Sequence, residues 1–369
     1  MSENNEENRQ QEAVEEQPAV QETAEEQPAV QETVEEQPAA ETGAAEEQPA
    51  EEETVTGPDG NTELTVVESQ EVVVNEHKSK EIEIGNIMDA IKAMISFFTI
   101  IPLSVGEREC NAMERNFWLA PALGAVTGFV AFLVVLIFGI FCNNTLIQAI
   151  VAIAAVYIFS KFLHFDGLVD FGDGIVVSSD KQEDHVRALK DSLIGAGGFG
   201  VALIVVLLSI TCLASLAGDV PAVADNNGNI WIFVAFLVWP LEILIKNAQV
   251  AAAAFGNPGN GMAANQVGNT EVNDVILSTV LSTVLVIIVS LILWGIASLC
   301  TFHTDVPMVT IVLLLLVAVL ASLGVGMLMA KISNSTFGFV NGDILGATNE
   351  IARATILLIA IMIFTISAW

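Results

Sequence analysis

The residues best suited to chemistry lie in one short acidic segment. His164 is followed by Asp166, Asp170 and Asp173, directly after a long apolar run. The aspartates are spaced i, i+4 and i+7, so on a helix they share one face and direct their oxygens towards a common volume. Acidic groups at such a depth in a membrane protein are costly and are usually functional. A divalent cation, Mg²⁺ by default, would relieve the repulsion among the three carboxylates and bridge to phosphate oxygens.

A glycine-rich segment follows the aspartates. Lys190, Asp191 and Ser192 precede Gly195, and the glycines of residues 195–198 open the next apolar run. Glycines let a ligand approach the backbone closely, and free N–H groups at a helix start attract phosphate oxygens. A flexible turn between two spans is the alternative interpretation. The neighbouring acids and the lysine favour a phosphate cradle.

A second acidic cluster lies near the carboxyl end of the chain. Asp343 and Glu350 are spaced i, i+7 on one helix face, with Gly346 between them keeping that face open to a partner. Capping of the last helix by Asn341 or Asp343 would explain one acid but not both. Arg353 is the most available counter-charge for Glu350, so a salt bridge is the competing interpretation.

Three other ionisable residues have two interpretations each. Glu242 and Lys246 are spaced i, i+4 inside an apolar run, where a structural ion pair and a role in a pocket are equally supported. His164 is the histidine that adjoins the acids. Hydrogen bonding at a helix end and proton transfer are both open for it.

Charge and hydropathy divide the chain into two parts. The net charge is −31, and residues 1–84 carry 25 acids against three bases, with the pentapeptide Glu-Glu-Gln-Pro-Ala occurring four times. Such a composition cannot bury enough apolar surface to fold, which predicts a disordered acidic tail over 1–84 and a membrane-embedded domain over 85–369. A basic face is absent, so nucleic acid is not expected as a partner.

Long apolar runs alternate with short polar loops from about residue 117 onward. Each run can cross the ~30 Å hydrocarbon layer as a helix, which predicts an all-α, polytopic bundle of about seven spans in the lipid bilayer. Residues 87–101 are amphipathic and predict a helix in the interface or packed against the bundle. The predicted spans are 117–141, 146–163, 199–218, 230–254, 275–300, 308–330 and 354–369.

The loops also predict an orientation. The segments 142–145, 219–229 and 301–307 contain no lysine or arginine, whereas the other set of loops is basic. By the positive-inside rule the basic side is cytoplasmic, which predicts a multi-pass protein of the cell membrane whose site faces the cytoplasm. The cytoplasmic loops are then 164–198, 255–274 and 331–353. Their bases, with those before the first span, are Arg108, Arg115, Lys181, Arg187, Lys190, Lys331 and Arg353.

Five ordered elements between about residues 87 and 369 resemble the cobalamin synthase family, the adenosylcobinamide-GDP ribazoletransferases. The segment from His164 to Gly174 is similar to the family's HxDGLxDxxDG signature. The other four elements are FFTIIP at 97–102, PALG with a following glycine at 121–128, KDSLIG at 190–195 and GDILGATNE at 342–350.

The resemblance implies a membrane enzyme that joins adenosylcobinamide-GDP to α-ribazole or its 5′-phosphate, releasing GMP, in the last assembly step of cobalamin biosynthesis. It implies Mg²⁺ as cofactor, held with the diphosphate by Asp166, Asp170 and Asp173. The implied catalytic residues are His164, Asp191, Asp343 and Glu350, one acid assisting deprotonation of the ribose hydroxyl. The implied substrate contacts are Gly174, Lys190, Ser192, Gly195, Gly342 and Gly346.

Two positions depart from the family pattern. Ile100 stands where the family usually has arginine, and Leu193 stands where an arginine often follows Asp-Ser. Two phosphate contacts are therefore missing, and affinity for the GDP donor depends on replacements. The candidates are Lys161, Arg187, Lys190 and Lys331.

Two other functions are compatible with acids at a membrane face. A CDP-alcohol phosphotransferase also groups aspartates around Mg²⁺, but its pattern has Ala-Arg soon after the first Asp-Gly, whereas Leu168 and Val169 follow Gly167 here. A cation-coupled transporter would bind ions at mid-membrane between inverted repeats. The acids of this chain cluster on one face instead, and no inverted repeat is evident, which disfavours a transporter.

Overall fold

The computed structural model describes residues 84–218, 231–299 and 308–367, and most of these residues are helical. The predicted all-α class is confirmed over these ranges, where the only β-type pairing is an isolated bridge between Pro258 and Val340. The predicted disordered tail lies outside the described residues, apart from its last residue. The helices are α1 (Ile84–Phe98), α2 (Glu107–Arg115), α3 (Ala120–Gly139), α4 (Thr145–Phe159), α5 (Leu163–Ile175), α6 (Gln182–Leu189), α7 (Ala196–Gly218), α8 (Trp231–Phe255), α9 (Ala264–Gly268), α10 (Val272–Leu299), α11 (Met308–Thr336) and α12 (Gly342–Ser367).

Six of these helices are long and apolar enough to cross a membrane. They are α3 with the 3₁₀ turn before it, α7, α8, α10, α11 and α12. The pair α4 and α5 passes the same test as one unit but is bent by 94°, so it forms a seventh, broken span or a re-entrant segment. The prediction of about seven spans is confirmed in number.

Two predicted segments between spans have different boundaries in the structure. The segment 331–353 is mostly helix, because α11 continues to Thr336 and α12 begins at Gly342. The last span therefore starts 12 residues before the predicted 354. Its first turns carry charged residues that lower the local hydropathy, but the deeper ones are paired with charges on another helix. The segment 164–198 contains α5, the helix on which the spacing of the aspartates was interpreted, and in addition the short helix α6.

The centre of the bundle is α8, which packs against α3, α10, α11 and α12. Glycines let α3 approach it at backbone distance: a Cβ atom at Gly124 would lie 2.3 Å from the carbonyl oxygen of Glu242, and one at Gly128 would lie 2.7 Å from that of Trp239. Small residues serve this purpose in membrane bundles, where close backbone packing drives helix association. The two glycines of the element at 121–128 thus have a structural role.

The predicted amphipathic helix is confirmed as α1, which packs against α2 and the start of α3. Its apolar face buries Ala90, Ala93 and Met94. On the polar face, Lys92 Nζ donates to Glu109 Oε1 of α2 at 2.7 Å. This hydrogen bond is the main reason that the pKa of Glu109 falls to about 2. Charge pairing therefore holds α2 against α1.

Candidate functional site at the crossing of α5 and α12

A sharp corner between α4 and α5 directs the acidic segment. Lys161 and Phe162 have φ angles of 55° and 57°, in the left-handed region that residues other than glycine rarely adopt. Such residues cost of order 1–3 kcal/mol each, so the surrounding packing must stabilise the corner. After it, α5 runs at 94° to α4 and carries the predicted stripe of aspartates on one helix, as expected.

Three carboxylates from two distant parts of the chain converge at this helix. Asp166 and Asp170 lie on α5, and Asp343 lies in the first turn of α12. Asp170 is within electrostatic range of both other carboxylates and of Asp173, and Asp343 is within range of Asp166. Asp166 is exposed, and the other two are partly buried. We call Asp166, Asp170 and Asp343 the acid cluster.

Two glycines bring the helices of the acid cluster together. A Cβ atom at Gly167 of α5 would lie 2.5 Å from the carbonyl oxygen of Asp343, and one at Gly346 of α12 would lie 3.2 Å from the Cα of His164. The helix that packs against the α12 face around Gly346 is therefore α5. This contact fixes the position of Asp343 relative to Asp166.

Asp173 has a different environment from the other two aspartates of α5. Its Oδ2 accepts from the backbone N–H of Gly195 at 2.8 Å, and its Oδ1 accepts from that of Gly198 at 2.7 Å. The amide groups that the sequence suggested as a phosphate cradle therefore bind a carboxylate of the protein. A helix start favours an anion, and here Asp173 supplies it and fixes α7 to α5.

The loop before α7 places a cation near the acid cluster. Lys190 interacts electrostatically with Asp343, and its Nζ lies 5.7 Å from the centroid of the Phe339 ring. Asp191 Oδ1 accepts from the N–H of Leu193 at 3.0 Å, which stabilises its own turn. Lys190, Asp191 and Ser192 are all exposed. Of these predicted contacts, Lys190 is the one that the structure brings to the acids.

The predicted substrate contacts at glycines have contrasting surroundings. Gly342 is exposed at the start of α12, whereas Gly174 is buried. A Cβ atom at Gly174 would lie 2.7 Å from the Phe337 ring. The Gly174 carbonyl also lies 2.8 Å from Nδ1 of His185, a residue on α6 that the sequence did not single out. Gly174 therefore has a packing role that would explain its identity without a ligand.

A group of charged residues is buried behind the acid cluster. Arg353 Nε donates to Glu242 Oε1 at 3.0 Å, and its Nη1 is bonded to Glu350. The hydroxyl of Tyr157 donates to Glu350 Oε2 at 2.6 Å. All three charged side chains are at most 1% exposed. The salt-bridge interpretation of Glu350 is confirmed, and its catalytic role stays a prediction that burial does not favour.

Lys246 joins this group through Asn349, whose Nδ2 donates to Glu350 Oε1 at 3.1 Å, and it also contacts His164. Its Nζ lies 2.5 Å from His164 Nε2 and donates to Asn349 Oδ1 at 2.9 Å. Because an ammonium can only donate, His164 Nε2 accepts, and the ring is held neutral with its proton on Nδ1. This geometry favours hydrogen bonding at the helix start over proton transfer. We call Glu242, Lys246, Glu350 and Arg353 the buried ion network.

The buried ion network revises two interpretations of the sequence. Glu242 forms its ion pair with Arg353, 111 residues away, and not with Lys246 on its own helix. Arg353 is 0% exposed inside α12, so it is not a loop base and does not contribute to the orientation argument. The network contains two anions and two cations and is balanced, as buried charges must be.

Lysines lie near both sites of the missing arginines. Ile100 donates its backbone N–H to Phe159 O at 2.9 Å, which places position 100 beside the corner that contains Lys161. Lys190 precedes Leu193 in the loop at the acid cluster. Arg187, in contrast, is paired with Asp184 at 2.8 Å. Lys161 and Lys190 are therefore the candidates that the structure places best.

The acid cluster presents carboxylate oxygens, which are the ligands that hard cations prefer. Within the described residues, no three side chains of His, Cys, Asp or Glu form a group tight enough to hold a metal ion by themselves. Its hard oxygen donors match the chemistry of Mg²⁺, which keeps several waters and commonly binds through one or two carboxylates plus substrate phosphates. The open cluster fits that mode of binding better than an all-protein cage.

Comparison with known proteins gives one consistent result. Residues 90–361 match the family model described as cobalamin-5-phosphate synthase. Adenosylcobinamide-GDP ribazoletransferases of Methanocella arvoryzae and Halorubrum lacusprofundi are each 29% identical, over 73% and 76% of this chain and 94% and 99% of theirs. That of Pyrococcus furiosus is 28% identical over 73% of this chain and 98% of its own. No solved structure matches the chain.

Proposed function

This chain belongs to the cobalamin-5-phosphate synthase family, and we propose that it is an adenosylcobinamide-GDP ribazoletransferase of the membrane. It transfers the adenosylcobinamide phosphate group to α-ribazole or its 5′-phosphate and releases GMP. The family match does not favour a CDP-alcohol phosphotransferase or a cation-coupled transporter. The observation that carries the proposal is the acid cluster, formed by two motifs that are far apart in sequence.

The reaction needs groups that orient a diphosphate and accept a proton. A ribose hydroxyl of the acceptor attacks the phosphorus atom next to the cobinamide, the bond to the bridging oxygen breaks, and GMP leaves with the electron pair. The hydroxyl proton passes to a carboxylate of the acid cluster. In-line phosphoryl transfer depends mainly on positioning and on electrostatic stabilisation, which fixed carboxylates on two locked helices can provide.

The residues of the site divide into three roles under this proposal. Asp166, Asp170 and Asp343 face the diphosphate, and Lys190 contacts a phosphate oxygen from the side of the loop. Asp173 acts as a positioning residue, since both of its oxygens hold the start of α7. His164 supports α5 from the buried side through Lys246.

Mg²⁺ is part of the proposal as the cation that the acid cluster would hold. Asp166 and Asp170 would bind it from α5 and Asp343 from α12. When bound, it would neutralise the diphosphate and the developing charge. Titration of metal-free enzyme with Mg²⁺ should restore GMP release, and Ca²⁺ should restore less because it prefers more ligands and longer bonds. Full activity in excess chelator would contradict the proposed role of Mg²⁺.

The site is proposed to face the cytoplasm, where the basic loops lie. Cys110 of α2 precedes α3 and Cys142 follows it, so the two thiols lie near opposite ends of a helix about 30 Å long. A membrane-impermeant maleimide should label Cys110 in sealed inside-out vesicles and Cys142 in right-side-out vesicles. The reverse pattern would overturn the orientation.

The decisive experiment is GMP release by purified protein from adenosylcobinamide-GDP, α-ribazole and Mg²⁺. Asp166→Asn should reduce the rate at least about 100-fold, since electrostatic groups of an active site are commonly worth 10²–10³. Asp180→Asn, an exposed aspartate in the following loop, is the matched control and should keep wild-type activity. Failure of the wild type to release GMP, or wild-type activity of Asp166→Asn, would overturn the function.

A further inference from the structure

A cavity of about 490 Å³ lies between α1, α2 and the corner that joins α4 to α5. Its volume is in the range of small-molecule binding sites. Most of its wall is apolar, and it has one charged side chain, Lys161, with the thiol of Cys110 at another side. The apolar wall includes Phe97, Val105, Met113, Leu163 and Met262.

The cavity adjoins the acid cluster along α5. Leu163, the first residue of α5, lines the cavity. Asp166 follows it by three residues, and side chains at this spacing lie on the same face of a helix, about 5–6 Å apart at their Cβ atoms. A ligand seated in the cavity can therefore extend one polar group to Asp166.

The apolar wall of the cavity suits some groups of the two substrates better than others. Guanine carries several hydrogen-bonding groups on its edge, and an apolar wall would leave them unpaired, which disfavours binding. The corrin ring is a macrocycle that carries many amide groups, which suits neither the size nor the wall. The base of α-ribazole is a flat, largely apolar bicycle, which matches the wall.

Lys161 supplies a charge that suits a phosphate. Its Nζ donates to the carbonyl oxygen of Ser96 at 3.3 Å, and an ammonium has three donors, so capacity remains for an anion. The corner holds this residue beside position 100, because Phe159 O accepts from the backbone N–H of Ile100 at 2.9 Å. Assigning Lys161 to this anion leaves Lys190 as the candidate contact to the GDP donor. One cation beside an apolar wall fits a nucleotide with a simple apolar base.

We propose that this cavity is the subsite of the acceptor. The base of α-ribazole packs against the apolar wall, Lys161 binds the 5′-phosphate when it is present, and the ribose hydroxyl points along α5 to the acid cluster. This assignment rests on the proposed function, because it takes one of that reaction's two substrates as the occupant.

The first test separates the two acceptors by their KM values. Lys161→Gln should raise KM for α-ribazole 5′-phosphate about tenfold, as expected for loss of one charge-assisted hydrogen bond. KM for unphosphorylated α-ribazole should change less than about twofold, since that acceptor has no phosphate for Lys161 to bind. Lys181→Gln, an exposed lysine of the next loop, is the control. Equal KM changes for both acceptors would overturn the role of Lys161.

The second test reads occupancy of the cavity without activity. In wild-type protein with Mg²⁺, α-ribazole 5′-phosphate should slow alkylation of Cys110, measured by peptide mass spectrometry, whereas Cys142 should react at an unchanged rate. GMP alone should protect neither thiol. Unchanged alkylation of Cys110 at saturating acceptor, or protection by GMP, would overturn the assignment.

A third variant fills the cavity. Met262→Trp should raise KM for both acceptors and leave KM for adenosylcobinamide-GDP unchanged, with Met88→Trp, on exposed α1 surface outside the cavity, as control. Unchanged acceptor KM in Met262→Trp would contradict the assignment. The two proposals fail differently: absence of GMP release by the wild type overturns the function, whereas GMP release without protection of Cys110 overturns only the subsite.

Discussion

The acid cluster and the buried ion network share α12 but place their charges in opposite environments. His164 and Asp166 are two residues apart on α5, yet His164 contacts a buried lysine and Asp166 is exposed. The network buries two anions with two cations, and Arg353 is the ion-pair partner of both anions. The cluster gathers three anions at a surface, with Lys190 as a nearby cation. Charge balance and burial therefore separate the residues that hold the bundle from those that we propose to bind a ligand.

The largest expected effect is on the network, through Arg353→Met. This change leaves Glu242 and Glu350 buried without their cation, which should lower the free energy of unfolding by about 3–5 kcal/mol. Thermal unfolding in detergent would show a large fall in Tm, and the double variant Arg353→Met with Glu350→Gln should recover much of it, because Glu242 and Lys246 then balance in charge. A single variant as stable as the wild type would show that the network does not hold the bundle.

The reciprocal change is Asp343→Asn in the acid cluster. We expect GMP release to fall about 10²–10³-fold, with Tm unchanged or raised because one of three repelling anions is removed. GMP release and Tm are measured for both Asp343→Asn and Arg353→Met. If Asp343→Asn unfolds the protein as Arg353→Met does, the cluster is structural and the distinction between the two regions is lost.

The contact between the two helices gives an intermediate effect. Gly167→Ala places a Cβ atom against the backbone of Asp343, so α5 must move away from α12 at a cost of about 1–3 kcal/mol. A displacement near 1 Å at the site can reduce the rate about 100-fold. Gly200→Ala is the control, because open space surrounds that glycine. Full activity of Gly167→Ala would show that close approach does not position the cluster.

The smallest expected effect concerns Lys190 at the edge of the cluster. Lys190→Gln should raise KM for adenosylcobinamide-GDP about tenfold, through loss of one charge-assisted contact, and leave Tm unchanged. The salt dependence of KM should weaken at the same time. An unchanged KM would assign the phosphate contact to another residue and separate Lys190 from the site.

The sequence predicted the helix of the aspartates better than it predicted the helix that carries Asp343. The i, i+4, i+7 spacing of the aspartates correctly implied one face of a helix, now α5. The final span was placed 12 residues too late, because Glu350 and Arg353 reduce the hydropathy of its first turns. Glu242, the second ion-pair partner of Arg353, lies 111 residues earlier, and pairing at that distance is not visible in a single sequence.

The sequence by itself determined the all-α membrane class of the protein, its number of spans and the residues whose side chains are suited to chemistry. These features follow from local composition and helical period. The tertiary structure decided the burial and the bonding partners of each of those residues. The backbone amides at the start of α7 bind Asp173. Glu350 and Lys246 are buried in a network whose charges balance, and Asp166, Asp170 and Asp343 lie close together. The physical reason is that a carboxylate's role depends on its burial and its counter-charge, and both are set by helices that meet only after folding.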